Sequence, residues 1–182
     1  GNSTLGVLKR NLKTKTTKVK ERAYNTLVRP KLEYSSTVWD PHTKEYIDKL
    51  EMVHRRAARY VSNQYGNTSS VGSMLEELGW DTLEHRRASS RMCMMYRMVH
   101  GLVAIPIEEY VTPVKMQSSN CKGGHNYKFQ RFYIKQDYYS QGFFPRTITQ
   151  WNQLPSTAID SETIDQFKSQ IASVNFSIMK KY

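Results

Sequence analysis

The sequence predicts a mainly α-helical protein. Three observations lead to this prediction. Residues 42–63 repeat apolar side chains at three- and four-residue steps, which is the spacing of one helix face. Shorter stretches with this spacing follow capping residues and end at glycine or proline. Only residues 115–135 change character, and we expect a short stranded or irregular insertion around residues 120–140.

Two short helices are predicted at the start of the chain. The first lies within residues 2–14, and a threonine at position 16 or 17 can cap the second. The apolar stripe of the first helix contains Leu5, Val7 or Leu8, and Leu12. That of the second contains Val19, Ala23, Leu27 and Tyr34 or Lys31.

Pro30 interrupts the second helix, because proline lacks an amide proton and its ring crowds the preceding turn. We expect a break near residues 28 and 29 and helix again over residues 32–38. The sequence Trp-Asp-Pro at residues 39–41 then ends this part of the chain.

Residues 42–63 form the longest predicted helix, and Asp40 or Thr43 can cap its start. Basic side chains occupy its last turns. They are Arg55, Arg56 and Arg59. They form either a solvated face that complements the helix dipole or a surface that faces phosphate groups, because arginine is a planar donor that stays charged.

Glycines mark the ends of the next two predicted helices. A helix over residues 71–78, capped by Thr68 or Ser69, ends at Gly79, and the following tryptophan folds back onto it. A longer helix over residues 82–100 ends at the next glycine. Its methionine-rich second half, residues 92–99, is apolar nearly all round, which favours core packing over an adaptable binding groove.

Proline marks the boundaries of the later elements. One helical turn is predicted over residues 107–111. Pro145 suits the first position of a helix that runs to Trp151 or Gln153, and Pro155 ends it. The last helix, capped by Asp160 or Ser161, carries Ile164, Phe167, Ile171 and Val174 on one side.

Positive charge is concentrated at the leading end. The chain contains 27 Lys and Arg against 16 Asp and Glu, a net charge of +11, of which residues 1–63 carry +8. This balance indicates an anionic partner, nucleic acid first and an anionic membrane surface second. No stretch approaches the roughly 20 apolar residues of a membrane span.

Eleven basic residues are the candidate nucleic-acid-binding residues. They are Lys9, Arg10, Lys13, Lys15, Lys18 and Lys20 near the start, Arg55, Arg56 and Arg59 in the long helix, and Lys128 and Arg131 in the insertion. The last two alternate with aromatic residues at positions 127, 129, 132 and 133. In one interpretation the cations bind a nucleic-acid backbone while the rings stack on exposed bases. In the other, the rings form the core of a small pair of strands and the cations are solvated.

Catalytic and metal-binding patterns are not evident. There is no adjacent pair of aspartates for two-metal chemistry, and no phosphate-binding glycine loop or nucleophile elbow. Cys121 and His125 could supply half of a zinc site, but a closed structural site needs about four ligands. The other cysteine and histidines are not suitably spaced, so we expect no metal, no cofactor and no catalytic residue.

Several motifs resemble, in order, the segment after the polymerase core of LINE-type non-LTR retrotransposon reverse transcriptases. They lie at residues 2–6 (Asn-Ser-Thr-Leu-Gly), 27–34 (Leu-Val-Arg-Pro-Lys-Leu-Glu-Tyr), 38–41 (Val-Trp-Asp-Pro), 50–59 (Leu-Glu-Met-Val-His-Arg-Arg-Ala-Ala-Arg), 78–80 (Leu-Gly-Trp), 83–87 (Leu-Glu-His-Arg-Arg), 143–147 (Phe-Phe-Pro-Arg-Thr) and 151–155 (Trp-Asn-Gln-Leu-Pro). The resemblance covers almost the whole chain.

The resemblance implies a thumb-like helical bundle near residues 1–65. A second helical region with the small insertion follows over residues 66–182, as the C-terminal region of the parent protein. The thumb of such an RNA-directed DNA polymerase grips the template–primer duplex behind the active site. This duplex is an RNA–DNA hybrid or an RNA/DNA duplex. The catalytic aspartates of the family belong to the palm, which we expect upstream of Gly1, so that this chain alone is not an enzyme. The chain lacks the cysteine-rich knuckle that some relatives carry.

Partners are therefore expected to be nucleic-acid duplex and the upstream palm and fingers, without a membrane, in the nucleus and cytoplasm. Two cysteines without a disulfide pattern fit a reducing compartment. The rival interpretation is a protein-interaction module whose methionine and tryptophan surfaces, from residue 71 onwards, dock on the polymerase or on a second copy. An independent hydrolase or nuclease is not favoured, since no convergent acid–base set is visible.

Overall fold

The computed structural model describes residues 1–66, 70–114, 125–133, 137–176 and 178–179. The chain forms two compact units, Gly1–Arg87 and Ala88–Tyr182. Both are built mainly from helices, which confirms the predicted fold class. The first unit extends beyond the predicted boundary at residues 65 and 66, because the helix that follows this boundary packs against the long helix of the same unit.

The helices of the first unit are α1 (Asn2–Asn11), α2 (Thr17–Leu27), α3 (Arg29–Glu33), α4 (Ser36–Trp39), α5 (Lys44–Ser62) and α6 (Val71–Glu77). Helix α7 (Leu83–Val99) begins in the first unit and continues into the second. The second unit also contains a 3-10 turn (Ile107–Glu109), α8 (Asp137–Ser140), α9 (Phe143–Trp151), α10 (Ser156–Ile159) and α11 (Ile164–Ile171). None of the helices in the described ranges is both long and apolar enough to cross a membrane.

Pro30, Gly79 and Gly101 lie at helix boundaries, as the sequence predicts. Helix α2 ends at Leu27, and Pro30 lies in the first turn of α3, where the missing amide proton is not needed. Gly79 and Gly101 follow α6 and α7 with φ values of 62° and 64°, a conformation that side chains disfavour. These backbone signals are local, and local signals are readable without a tertiary structure.

One predicted helix start and two predicted capping residues are wrong. Helix α9 begins at Phe143, so Pro145 is its third residue, which is allowed because amides of the first turn have no intrahelical acceptor. Ser70 caps α6 through Ser73 N, and Thr163 caps α11 through Gln166 N, later than the predicted caps. The structure also contains α8 and α10, which the sequence did not predict.

The helix predicted over residues 32–38 is interrupted. Ser35 has a φ of 52°, which separates α3 from α4. The indole Nε1 of Trp39 donates to the carbonyl oxygen of Tyr34, so a side chain takes the place of the next helical amide. A side chain that captures a backbone carbonyl five residues earlier leaves no trace in the apolar periodicity.

The apolar stripe predicted for α2 is displaced by one residue. Val19 and Leu27 are about half exposed, whereas Lys20, Tyr24 and Val28 are buried. The buried set contains the large aromatic ring, whose removal from water outweighs the smaller aliphatic groups. The stem of Lys20 is long enough to line this face while its ammonium finds polar partners.

Aromatic rings close the core of the first unit. Trp80 stacks on Tyr24 and on His54, with ring centroids 4.7 and 5.1 Å apart. The Nε2 of His54 donates to the carbonyl oxygen of Asp81 at 3.1 Å, so its Nδ1 accepts from the hydroxyl of Tyr24 at 2.7 Å. Burial lowers the pKa of His54 to about 4, and burial raises that of Tyr24. The imidazole is therefore held neutral.

Acid is expected to weaken the first unit through His54. The unfolded chain takes up a proton at the ordinary histidine pKa near 6.5, whereas the folded chain resists until about pH 4. The free energy of unfolding should fall by roughly 3 kcal/mol across this interval. Urea unfolding at pH 7 and pH 4 measures this change.

His54→Gln is the control variant, because glutamine does not titrate. Burial raises the pKa of Glu51, which opposes the effect of His54, so the difference between wild type and variant isolates the histidine. An identical pH dependence in both proteins would contradict the assignment.

A buried ion pair ties α7 to the end of α4. The Nε of Arg87 donates to Oδ1 of Asp40 at 2.8 Å, and the two side chains are 0% and 7% exposed. Burial lowers the pKa of Arg87. A second pair, Arg86 with Glu33, connects α7 to α3 at half-buried positions. Asp40, the acidic residue of the Trp-Asp-Pro sequence, is thus buried and holds α7 against the end of α4.

The methionine-rich half of α7 lies in the core of the second unit. Met92, Met95 and Met98 are at most 4% exposed, and they pack with Trp151 and Phe167. The core interpretation of this segment is confirmed. These methionines therefore do not supply the docking surface that the rival interpretation needs.

The described part of the insertion is irregular. Within residues 125–133 a single bridge, between Pro113 and Phe129, takes the place of the predicted strands. Val114 N donates to Lys128 O at 2.9 Å, and Gln130 N donates to Thr112 O at 2.8 Å. Residues 120–124 and 134–136 of the predicted insertion lie outside the described residues.

Candidate nucleic-acid interface

The arginines of α5 occupy its outward side. Val53, Ala57, Ala58 and Val61 are buried in the first unit, which fixes the helix with Arg55 and Arg56 exposed and Arg59 half exposed. Asn63 ends the helix with a φ of 57°. The amphipathic pattern therefore determines which way the cations point.

Three side-chain contacts bring α1 and the segment after it against α5. Arg56 Nη1 donates to Asn2 Oδ1 at 3.3 Å, and the hydroxyl of Tyr60 donates to Leu12 O at 2.7 Å. Asn63 Nδ2 donates to Lys15 O at 3.2 Å. The two predicted basic surfaces of the leading part of the chain are thereby joined.

Lys9 lies where these two surfaces meet. Its Nζ is 5.9 Å from the centre of the Tyr60 ring, and the side chain is half buried. Partial burial, and secondarily the charge of Arg56, lowers the pKa of Lys9. Two cations that the sequence places 47 positions apart are therefore close enough to repel each other.

The cations of this face have no carboxylate partner among the described residues. The ion pairs of the first unit are Lys49 with Glu45, Arg86 with Glu33 and Arg87 with Asp40. We name the exposed and half-exposed cations of α1, of the segment after it, of the first turn of α2 and of the second half of α5 the α1–α5 face. They are Lys9, Arg10, Lys13, Lys15, Lys18, Arg55, Arg56 and Arg59. The charge of this face is therefore available to an external anion.

Lys20 is not part of the α1–α5 face. It is 4% exposed, and its ammonium donates to Tyr60 O at 3.2 Å and to Asn63 Oδ1. The ammonium also lies 4.5 Å from the centre of the Tyr60 ring. It joins α2 to the C-terminal end of α5, so its role is structural. The spacing of Lys20, Tyr24 and Val28 is the sequence signal that could have indicated burial.

Replacing Lys20 by alanine should separate stability from binding. Loss of two hydrogen bonds from an ammonium is expected to lower the free energy of unfolding by roughly 2 kcal/mol or more. The salt dependence of nucleic-acid binding should not change, because no surface charge is lost. Thermal melting and a salt titration measure the two quantities. A flatter salt dependence in this variant would show that Lys20 contacts phosphate after all.

Two supporting residues were missed by sequence reasoning. Asn2 and Asn63 orient the joined helices, yet neither is charged or part of an apolar stripe. The signal for Asn63 is its position after the last helical turn, where asparagine tolerates a positive φ.

The remaining candidates, Lys128 and Arg131, belong to the second unit. Residues 125–129 are fixed by α9, where Trp151 Nε1 donates to Tyr127 O at 2.8 Å and Asn152 bonds both backbone groups of Phe129. Phe129 is buried, whereas Tyr133 is 90% exposed. Phe129 therefore fits the alternative in which the rings pack in the core, whereas Tyr133 is exposed, as a ring that stacks on bases would be.

The proposed half of a zinc site is only partly described. Cys121 lies outside the described residues. His125 is buried, and its Nε2 donates to Trp151 O at 3.0 Å, which assigns it a contact within the fold. Across the ranges that the structure describes, no cluster of three or more His, Cys, Asp or Glu side chains could hold a metal ion.

Comparison with known proteins gives no relative. No family model, no curated protein and no solved structure matches the chain.

Proposed function

We propose that this chain is the non-catalytic nucleic-acid-binding portion of a retrotransposon reverse transcriptase, and that it grips a template–primer duplex through phosphate groups. The observation that carries the proposal is the α1–α5 face, eight cations on adjoining elements with no carboxylate partner in the described part of the first unit. The parent polymerase is inferred from the sequence resemblance alone.

The chemistry of the α1–α5 face suits phosphate better than base edges. Arginine forks and lysine ammonium groups are donors only, and they match the charge and spacing of phosphate oxygens. Contacts to phosphate fix position and orientation without reading sequence. Binding should therefore show little sequence preference and a strong dependence on salt, because each neutralised phosphate releases condensed counterions.

A binding titration tests this function directly. The chain is titrated against RNA–DNA hybrid, double-stranded DNA and single-stranded RNA of equal length at 50 mM and 200 mM salt. We expect the hybrid to bind, with an affinity that falls by roughly 1,000-fold or more between the two salt concentrations if six or more cations contact phosphate. Affinity that is independent of salt, or no binding to any of the three, would refute the proposal.

A further inference from the structure

Gly6 lies in the interior of α1 without a structural need for glycine. A Cβ built at this position would meet only Arg10 Nη1, at 3.6 Å, which is ordinary contact. Its φ does not lie in the left-handed region, which in the first unit is entered by Ser35, Asn63 and Gly79. Because glycine destabilises a helix interior relative to alanine, this residue costs stability without relieving a clash or strain.

Gly6 lies on the same side of α1 as Asn2 and Lys9. Asn2 and Lys9, one turn to either side of it on the same helical stripe, contact Arg56 and Tyr60 of α5. No atom of α5 comes within 4 Å of a Cβ at Gly6, so the glycine is not there to let the two helices approach each other. The stripe therefore lacks one side chain between Asn2 and Lys9, and we name this gap over Gly6 the notch.

Cations surround the notch. Lys9, Arg10 and Arg56 lie beside it and have no carboxylate partner among the described residues. The repulsion between Lys9 and Arg56, which contributes to the lowered pKa of Lys9, would be relieved by an anion placed between them. A phosphodiester strand fits, since it is narrow, anionic and able to approach a helix backbone that has no side chain.

We propose that the notch over Gly6 is where a phosphodiester strand of the bound duplex comes closest to α1. Gly6 is thus a positioning residue whose missing side chain lets the surrounding cations reach the phosphates. This inference rests on the proposed function, because it names the point of closest approach within the same face.

Gly6→Ala tests the inference with two opposite expectations. The melting temperature should rise by roughly 2–4 °C, as expected when a helix-interior glycine is replaced in a chain of this size. The affinity for RNA–DNA hybrid should fall about tenfold, comparable to the loss of one charge-assisted hydrogen bond. The larger side chain of Gly6→Leu should lower the affinity further. The salt dependence should stay close to that of the wild type, since no charge is removed.

Gly72→Ala is the matched control. Gly72 also lies in a helix, and a Cβ there would meet only Ser70 Oγ at 3.5 Å. This variant should also melt at a higher temperature, and its affinity should equal that of the wild type. If Gly6→Ala binds like the wild type, or melts at a lower temperature, the inference is overturned while the proposed function stands. If the wild type itself does not bind, both fail.

Discussion

Replacing Lys13, Lys15 and Lys18 by glutamate is expected to lower the affinity for RNA–DNA hybrid by about 100-fold or more at moderate salt. These lysines are exposed in the segment that joins α1 to α2 and in the first turn of α2. Each reversal removes one cation from the phosphates and adds repulsion. The slope of log affinity against log salt should become shallower by about 3, because three fewer phosphates are neutralised in the complex.

A second triple variant separates location from total charge. Lys44, Arg97 and Lys168 are exposed and lie outside the α1–α5 face, and replacing all three by glutamate changes the net charge equally. This control should lose little affinity, because a charge that makes no phosphate contact acts on the duplex only through long-range attraction, which moderate salt screens. Equal losses in the two variants would mean that only net charge matters, and would contradict the α1–α5 face.

Asp40→Ala is expected to destabilise the first unit by roughly 3–5 kcal/mol, the cost of leaving a buried charge without its partner. The side chain of Arg87 is fully buried, and in the structure its guanidinium forms an ion pair with Asp40. Thermal or urea unfolding measures the loss. The effect should exceed that of any single substitution on the α1–α5 face, since exposed cations contribute little to folding.

Two variants give this prediction its controls. Asp165→Ala breaks an exposed pair with Lys168 and should cost about 0.5 kcal/mol or less. Combining Asp40→Leu with Arg87→Met removes both charges and should recover much of the loss, because a buried pair can often be replaced by apolar groups. A loss from Asp40→Ala no larger than that from Asp165→Ala would contradict a structural role for the buried pair.

Local signals made most of the fold readable from the sequence. The long helix was predicted over residues 42–63 and spans Lys44–Ser62, because one strong apolar stripe defines it. Pro30, Gly79 and Gly101 act within their own turns. The errors fall where a distant or competing group intervenes, as with the indole of Trp39 at the α3–α4 junction and the competing capping residues of α6 and α11.

The candidate site was only partly readable. Charge counting found the basic residues at the start of the chain and in α5, yet it could not distinguish Lys20 from its neighbours. Whether a lysine on a helix is exposed or buried depends on which side of the helix packs against the core. In α2 two neighbouring stripes, one with Val19 and one with Lys20, could both have packed there. Asn2 and Asn63, which join α1 and the following segment to α5, carry no charge to count.

By itself, the sequence determined where most of the helices lie and that positive charge is concentrated in residues 1–63. Only the tertiary structure decided that Lys9 of α1 lies close to Arg56 of α5, that Lys20 is internal and that Asp40 pairs with Arg87. The reason is physical. Periodicity and composition are properties of neighbouring residues, whereas the environment of a charge depends on elements that are distant in the chain and meet only when the core packs.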